Sequence, residues 1–179
     1  MSYASEFSEI IECLKNNESL KVKILELIES EPIPGKVIEG EGRLEALRII
    51  LADFFNGKWT VEESIQEVEF RLPRNYSPHE NNNRVFPQGW AERLLRTNIS
   101  CFYNQAVLMR IIESGSSECY VDHSSAESAD SNCSKNLAGR THDASMLLDR
   151  LLKAYREGHW NKDVKIPDHP HCTHTVQPV

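Results

Sequence analysis

No stretch of this chain comes near the run of about 18 apolar residues that a membrane-spanning helix needs, so no span is expected. A cationic surplus is missing as well. The 179 residues carry a net charge of −7, with 10 basic and 16 acidic residues in 1–89 and 10 and 11 in 90–179. Neither half offers the basic excess that neutralising a phosphate backbone requires, which disfavours direct nucleic-acid recognition. Cysteine is sparse and scattered, with five at positions 13, 101, 119, 133 and 172. An odd, spread-out set does not build a disulfide framework and leaves free thiols or a metal site. The opening Met1–Phe7 lacks the basic and apolar segments of a secretory signal, so the expectation is a protein made and kept inside a cell.

What the chain has is ordinary globular composition, 40% hydrophobic and 26% charged, in a length suited to one domain or one domain with a helical appendage. The pattern is mostly helical α+β. Ile10, Ile11 and Leu14 form one apolar stripe, and Leu20, Ile24, Leu27 and Ile28 form a second. Asn16–Ser19 lies between them as a break or cap, and the prolines at 32 and 34 stop the second helix. Leu44, Leu47, Ile50, Leu51 and Phe54 mark a third helix, and the Thr60-Val-Glu-Glu63 capping box opens a fourth. These helices make up a region over 1–71. Residues 72–89, rich in proline and asparagine and without periodicity, read as a long exposed connection. The remainder, 90–179, opens with a long helix from Trp90 to about Glu113, stopped by Gly115. A short strand follows at 119–123, then a polar loop over 124–132, an amphipathic helix over 144–156 and a brief terminal strand at 173–177. Met109 and Met146 fall at core spacing, and Trp90 reads as an anchor at the foot of the long helix.

The final eleven residues, His169-Pro-His-Cys172-Thr-His174-Thr-Val-Gln-Pro-Val179, concentrate ligand-type side chains where a frayed terminus is the usual expectation. Cys133, His169 and Cys172 form the best candidate metal set, because zinc takes thiolates and imidazoles and two ligands three residues apart suit one turn. His174, His171, His123 and Asp122 are each able to complete it, His174 being the one assigned. The other reading is a metal-free buckle of buried thiols and locally bonded histidines. Asp122-His123, Asn136 and His142 invite a different chemistry. A nuclease of His-Asn-His type orients a water-activating His with an Asp while a metal stabilises the leaving phosphate. The Asn136–His142 separation is short for it. Cys101 and Cys119 have no sequence-local histidine to make them nucleophiles.

Residues 90–179 resemble the head-morphogenesis domain of tailed phages, the Mu F-type minor head protein family. The likeness runs through Trp90-Ala-Glu-Arg93, Arg96-Thr97-Asn98, Phe102-Tyr103-Asn104 and the closing Gly115. It continues in Asp130-x-x-Cys133, Leu137-Ala-Gly139-Arg140-Thr141 and the terminal His169-Pro170-His171-Cys172 with its β-branched strand and Pro178-Val179. Where family members carry Arg-Thr-Glu this chain has Asn98, and where many carry Cys-x-x-Cys it has Asn136 at the second position. Residues 1–70 share no such pattern.

The resemblance implies a structural minor head protein of a tailed phage or prophage, not an enzyme, aiding head assembly or DNA delivery. Its expected partners are the portal and capsid proteins. Its expected place is the capsid interior or portal, and the host cytoplasm during assembly. Contact with packaged DNA is not supported by the charge. The contact surfaces would be the acidic helical half and the loop at 75–89, ordering on binding. The alternatives are the metal-dependent nuclease and a neck or adaptor component. The metal set read from the residues themselves is Cys133, His169, Cys172 and His174, with zinc as the candidate ion.

Overall fold

A computed structural model describes residues 2–179. The helices that begin at Glu18, Val61, Asn132 and Ala144 start where a side chain satisfies one of the first free N–H groups. Asn17 accepts from the Leu20 N–H at 3.3 Å and opens α2 (Glu18–Ser30), behind the short α1 (Ile10–Lys15). After α3 (Arg43–Phe55), the Thr60 hydroxyl accepts from the Glu63 N–H at 3.2 Å while the Glu63 carboxylate accepts from the Thr60 N–H at 2.8 Å. This reciprocal box starts α4 (Val61–Arg71) as the sequence predicts.

The long helix α5 (Trp90–Glu113) is the axis of the molecule. At 1.5 Å per residue its 24 residues span about 36 Å. The sequence predicts a broad apolar face, but every residue from 99 to 108 is buried, so α5 is enclosed on all sides. Helices α2 and α4 cover one side, and the carboxy-terminal half covers the other. That enclosure includes polar side chains. Asn104 is fully buried, donates to the Ser100 carbonyl at 2.9 Å and its hydroxyl at 3.1 Å, and accepts from the Val176 N–H at 2.9 Å.

Beyond α5 the chain forms β1 (Glu118–Val121), α6 (Asn132–Leu137), β2 (Arg140–Asp143), α7 (Ala144–Leu151) and β3 (Val176–Pro178). A wider helical turn, Leu152–Arg156, continues α7. The sheet is antiparallel in the order β2-β1-β3, pairing Cys119 with His142 and Tyr120 with Gln177. Neither α6 nor β2 is expected from the sequence. Gly139 makes the turn between them at φ +68°, where a Cβ would lie 2.4 Å from the His123 ring.

Regions 1–71 and 90–179 share one hydrophobic core, and two sets of hydrogen bonds hold the chain around it. The first is made by the amino-terminal segment, which lies along the carboxy-terminal one. The Phe7 N–H donates to the Thr173 carbonyl at 2.8 Å, Thr175 donates to the Ala4 carbonyl at 2.7 Å, and the buried Tyr103 hydroxyl accepts from the Ala4 N–H at 2.8 Å. The second is made by Arg43 of α3, only 2% exposed, which anchors the 72–89 connection: its guanidinium donates to the carbonyls of Val37, Leu72 and Pro73 at 2.7, 3.0 and 2.7 Å and stacks over Phe86. Most of residues 72–89 are exposed, as the sequence predicts, yet the loop is pinned at Leu72, Ser77 and Phe86, all buried. Arg43 holds the start of this loop through carbonyls 29 and 30 residues away, a contact that no local pattern announces.

Candidate metal centre

Three separate pieces of chain converge beside β1. The loop after β1 carries Glu127. The first turn of α6 carries Cys133 and is capped by the Ser131 hydroxyl, which accepts from the Ser134 N–H at 3.1 Å. The terminal segment brings His169, Cys172 and His174, with the Cys172 N–H donating to the His169 carbonyl at 3.0 Å to close a tight turn.

The donor atoms of Glu127, Cys133, Cys172 and His174 all lie within 4.8 Å of one another. Cys133, Cys172 and His174 are 1%, 1% and 0% exposed, and the Glu127 side chain is 12% exposed. His174 Nδ1 sits 3.2 Å from Glu127 Oε2 and 3.6 Å from Cys172 Sγ. A tetrahedron built on bonds of about 2.0–2.3 Å has edges of about 3.3–3.8 Å, so these separations need little adjustment to hold an ion. The Cys133 Sγ to Glu127 Oε1 distance of 2.6 Å is shorter than such an edge, so one shared proton or a cation must lie between these two acidic groups. A shell of support surrounds the donors. The Thr173 N–H and hydroxyl donate to Glu127 Oε2 at 3.2 and 3.0 Å, and His174 Nε2 meets the Ser134 hydroxyl at 3.3 Å, leaving Nδ1 turned to the cluster.

The electrostatics split the two thiols, favouring ionised Cys133 and protonated Cys172. A hydrogen bond with the Cys172 thiol, first of all, draws Cys133 down to about 6 against the effect of burial. The same contact with Cys133, together with burial, pushes Cys172 well above the ordinary thiol value. Burial pushes the Glu127 carboxyl up, but its bonds with Cys133, Thr173 and His169 outweigh this and hold it below the ordinary carboxylate value. Two thiols and a carboxylate at this spacing gather more negative charge than a buried site holds without protons or a cation. The group is therefore able to hold a metal ion.

Of the four residues assigned from sequence, Cys133, Cys172 and His174 belong to the convergent group. His169 stands at its rim, 39% exposed, with Nε2 3.3 Å from Cys133 Sγ and 2.9 Å from Glu127 Oε1. Burial lowers its proton affinity, but these two neighbours outweigh that and raise it. Glu127 takes the place sequence reasoning gave to His169. One acid in a loop of serine, alanine and aspartate has no spacing that marks it, and only the tertiary fold selects it. His171 points elsewhere, 3.6 Å from Glu92.

The nuclease constellation is not assembled. His142 Nε2 bonds the Leu137 carbonyl at 2.9 Å, His123 packs on Gly139, and the Asp122 carboxylate accepts from the Gln177 amide at 3.2 Å. Among the described residues no hydrogen bond joins His123, Asn136 and His142. Burial raises Cys101 well above the ordinary thiol value and pushes Cys119 up to about 11, so neither is a thiolate near neutrality.

No family model, curated protein or solved structure matches the chain. The fold itself is mostly helical α+β, with a small three-stranded antiparallel sheet closed by a Glu/Cys/His cluster.

Proposed function

We propose that this chain is a structural minor head protein of a tailed phage or prophage, of the Mu F type, and that zinc occupies its Glu127, Cys133, Cys172 and His174 cluster. The ordered motifs of residues 90–179 support the family, and the structure gives them physical work. Asn104 of the aromatic-Asn motif ties α5 to β3, Gly139 makes the turn before β2, and the His169–Cys172 turn sets the Cys172 sulfur and the His174 nitrogen beside Cys133 of α6.

The single observation that supports a structural role over catalysis is the closure of the cluster. Four protein donors surround one point, three of them at most 1% exposed, which leaves no position for substrate or an activated water. Thiolate and imidazole donors with one carboxylate suit zinc better than calcium or magnesium, which take oxygen. The ion would replace the hydrogen-bonded protons between Cys133, Cys172 and Glu127 and lock the loop, α6 and the terminal segment together. A sheet of three short strands is too small to hold itself without such a clasp or the packing of α5.

The test is mass spectrometry of particles purified from a lysate of the source, counting this chain against the portal and major capsid proteins. A fixed low ratio to the portal is expected. Absence from purified particles would remove the head-protein reading while leaving the metal centre to be judged by metal analysis.

A further inference from the structure

A cavity of about 360 Å³ lies on the far side of α5, between the prolines after α2, the end of the 72–89 loop and the turn that continues α7. Trp90, Phe102, Leu151 and Tyr155 form apolar walls. Its rim is cationic in an otherwise acidic chain. Arg84, Arg93 and Arg156 surround the mouth, and Glu31, the one acid in the lining, is held by Arg156 at 3.2 Å. The interior contains an unusual group. Gln105 is 5% exposed, lines the cavity, and its amide makes no hydrogen bond within the described chain. Its amide opens onto the cavity, where a group that enters could bond it.

The large hydrophobics exposed on the surface are few, and one matches this socket. Tyr76 follows Arg74, and Trp160 stacks on Tyr155 beside Lys165, so both stand among cations. Phe70, 79% exposed near the end of α4, stands on a helix with four glutamates and one arginine. Glu69 precedes it, and Glu67 and Glu63 lie one and two helical turns back on its own face. Arg71 pairs Glu67 at 2.7 Å, but with Glu62, Glu63 and Glu69 the helix stays net acidic, so its exposed aromatic complements an apolar cavity with a net cationic rim.

We propose that Phe70 of one copy inserts into the Trp90–Tyr155 cavity of a second copy, with the neighbouring carboxylates accepting from Arg84, Arg93 and the Gln105 amide. Knob and socket lie on different surfaces of the same chain, so the contact is head-to-tail. Repetition closes into a ring or continues as a filament, unlike a two-fold dimer, which would stop at two. The proposal goes beyond the head-protein reading and stands or falls separately from it.

Sedimentation of the purified full chain across a concentration series tests it. The parent protein is expected to shift from monomer to larger species, while Phe70→Ser and the double variant Arg84→Glu/Arg93→Glu stay monomeric. These side chains are exposed or half-exposed, so the changes do not disturb the core. Mixing the two variants supplies one intact socket and one intact knob, and a one-to-one pair that grows no further is expected. A parent chain that stays monomeric into the millimolar range, variants that associate like the parent, or a mixture that fails to pair would each overturn the proposal.

Discussion

Replacing Asn104 with alanine removes the one side-chain hydrogen bond that, among the described residues, joins α5 to β3. In the folded protein Asn104 Oδ1 accepts from the Val176 N–H at 2.9 Å, and both groups belong to residues with 0% exposure. The variant leaves that N–H buried without an acceptor, a loss of about 1–3 kcal/mol. It also opens a small cavity inside an enclosed helix, adding about 1 kcal/mol. The Ser100 hydroxyl and carbonyl lose a donor, but Ser100 sits on the same helix and keeps its ladder bonds. A total near 3 kcal/mol would lower the melting temperature by about 6–12 °C for a domain of this length. Urea titration gives the free energy, and hydrogen exchange at the Val176 amide gives the local effect. Destabilisation below about 0.5 kcal/mol with unchanged Val176 protection would refute the reasoning, because a surface substitution does no more than that.

Arg43→Ala strips the donors from the carbonyls of Val37, Leu72 and Pro73 and should cost about 3 kcal/mol. Its local signature is faster tryptic cleavage after Arg74 and Arg84, and a cleavage pattern like the parent's would show that the loop is pinned by something else. In metal-free protein the thiol pair also gives a pH dependence of defined sign. Cys133 falls from 9.0 to about 6 in the fold. Its thiolate therefore contributes stability in full above the ordinary thiol value, and that contribution is lost as pH falls through about 6. Melting temperatures of chelator-treated parent protein should rise relative to Cys133→Ser between about pH 6 and pH 9. A constant difference across that window would mean the Cys133 thiol is not ionised in the fold.

The parts legible in the sequence are those governed by local chemistry. The Thr60–Glu63 box, the Asn17 cap, the prolines after α2 and Gly115 after α5 each act on their own turn, and the structure has helix ends at all of them. The second half is less legible because its elements exist through distant partners. Strand β2, Arg-Thr-His-Asp, is polar and without alternation, and it becomes a strand only by pairing with β1. Helix α6 has six residues, below the length at which periodicity shows, and rests on its Ser131 cap. The pairing of residues 4–7 with 173–175 spans nearly the whole chain, and no pattern within either segment announces it.

The same division runs through the candidate site. Cys133, Cys172 and His174 are recognisable because their side chains have few other uses at such positions. Glu127 is one carboxylate among 27 acidic residues, and its ligand position is set by where the loop after β1 lands. His169 looks the equal of His174 in sequence. The turn at Cys172 separates them, leaving His169 at the half-exposed rim and His174 fully buried.

The account turns on whether the four-donor cluster holds a metal ion, and native mass spectrometry of the full chain purified in the presence of zinc measures this directly. The expected result is one zinc per chain, lost in Cys172→Ser, weakened in Glu127→Gln and retained in His169→Ala, with chelation loosening residues 122–137 and 169–179 in hydrogen exchange. A chain that carries no metal, and whose exchange in these two segments does not respond to zinc or chelator, would contradict it.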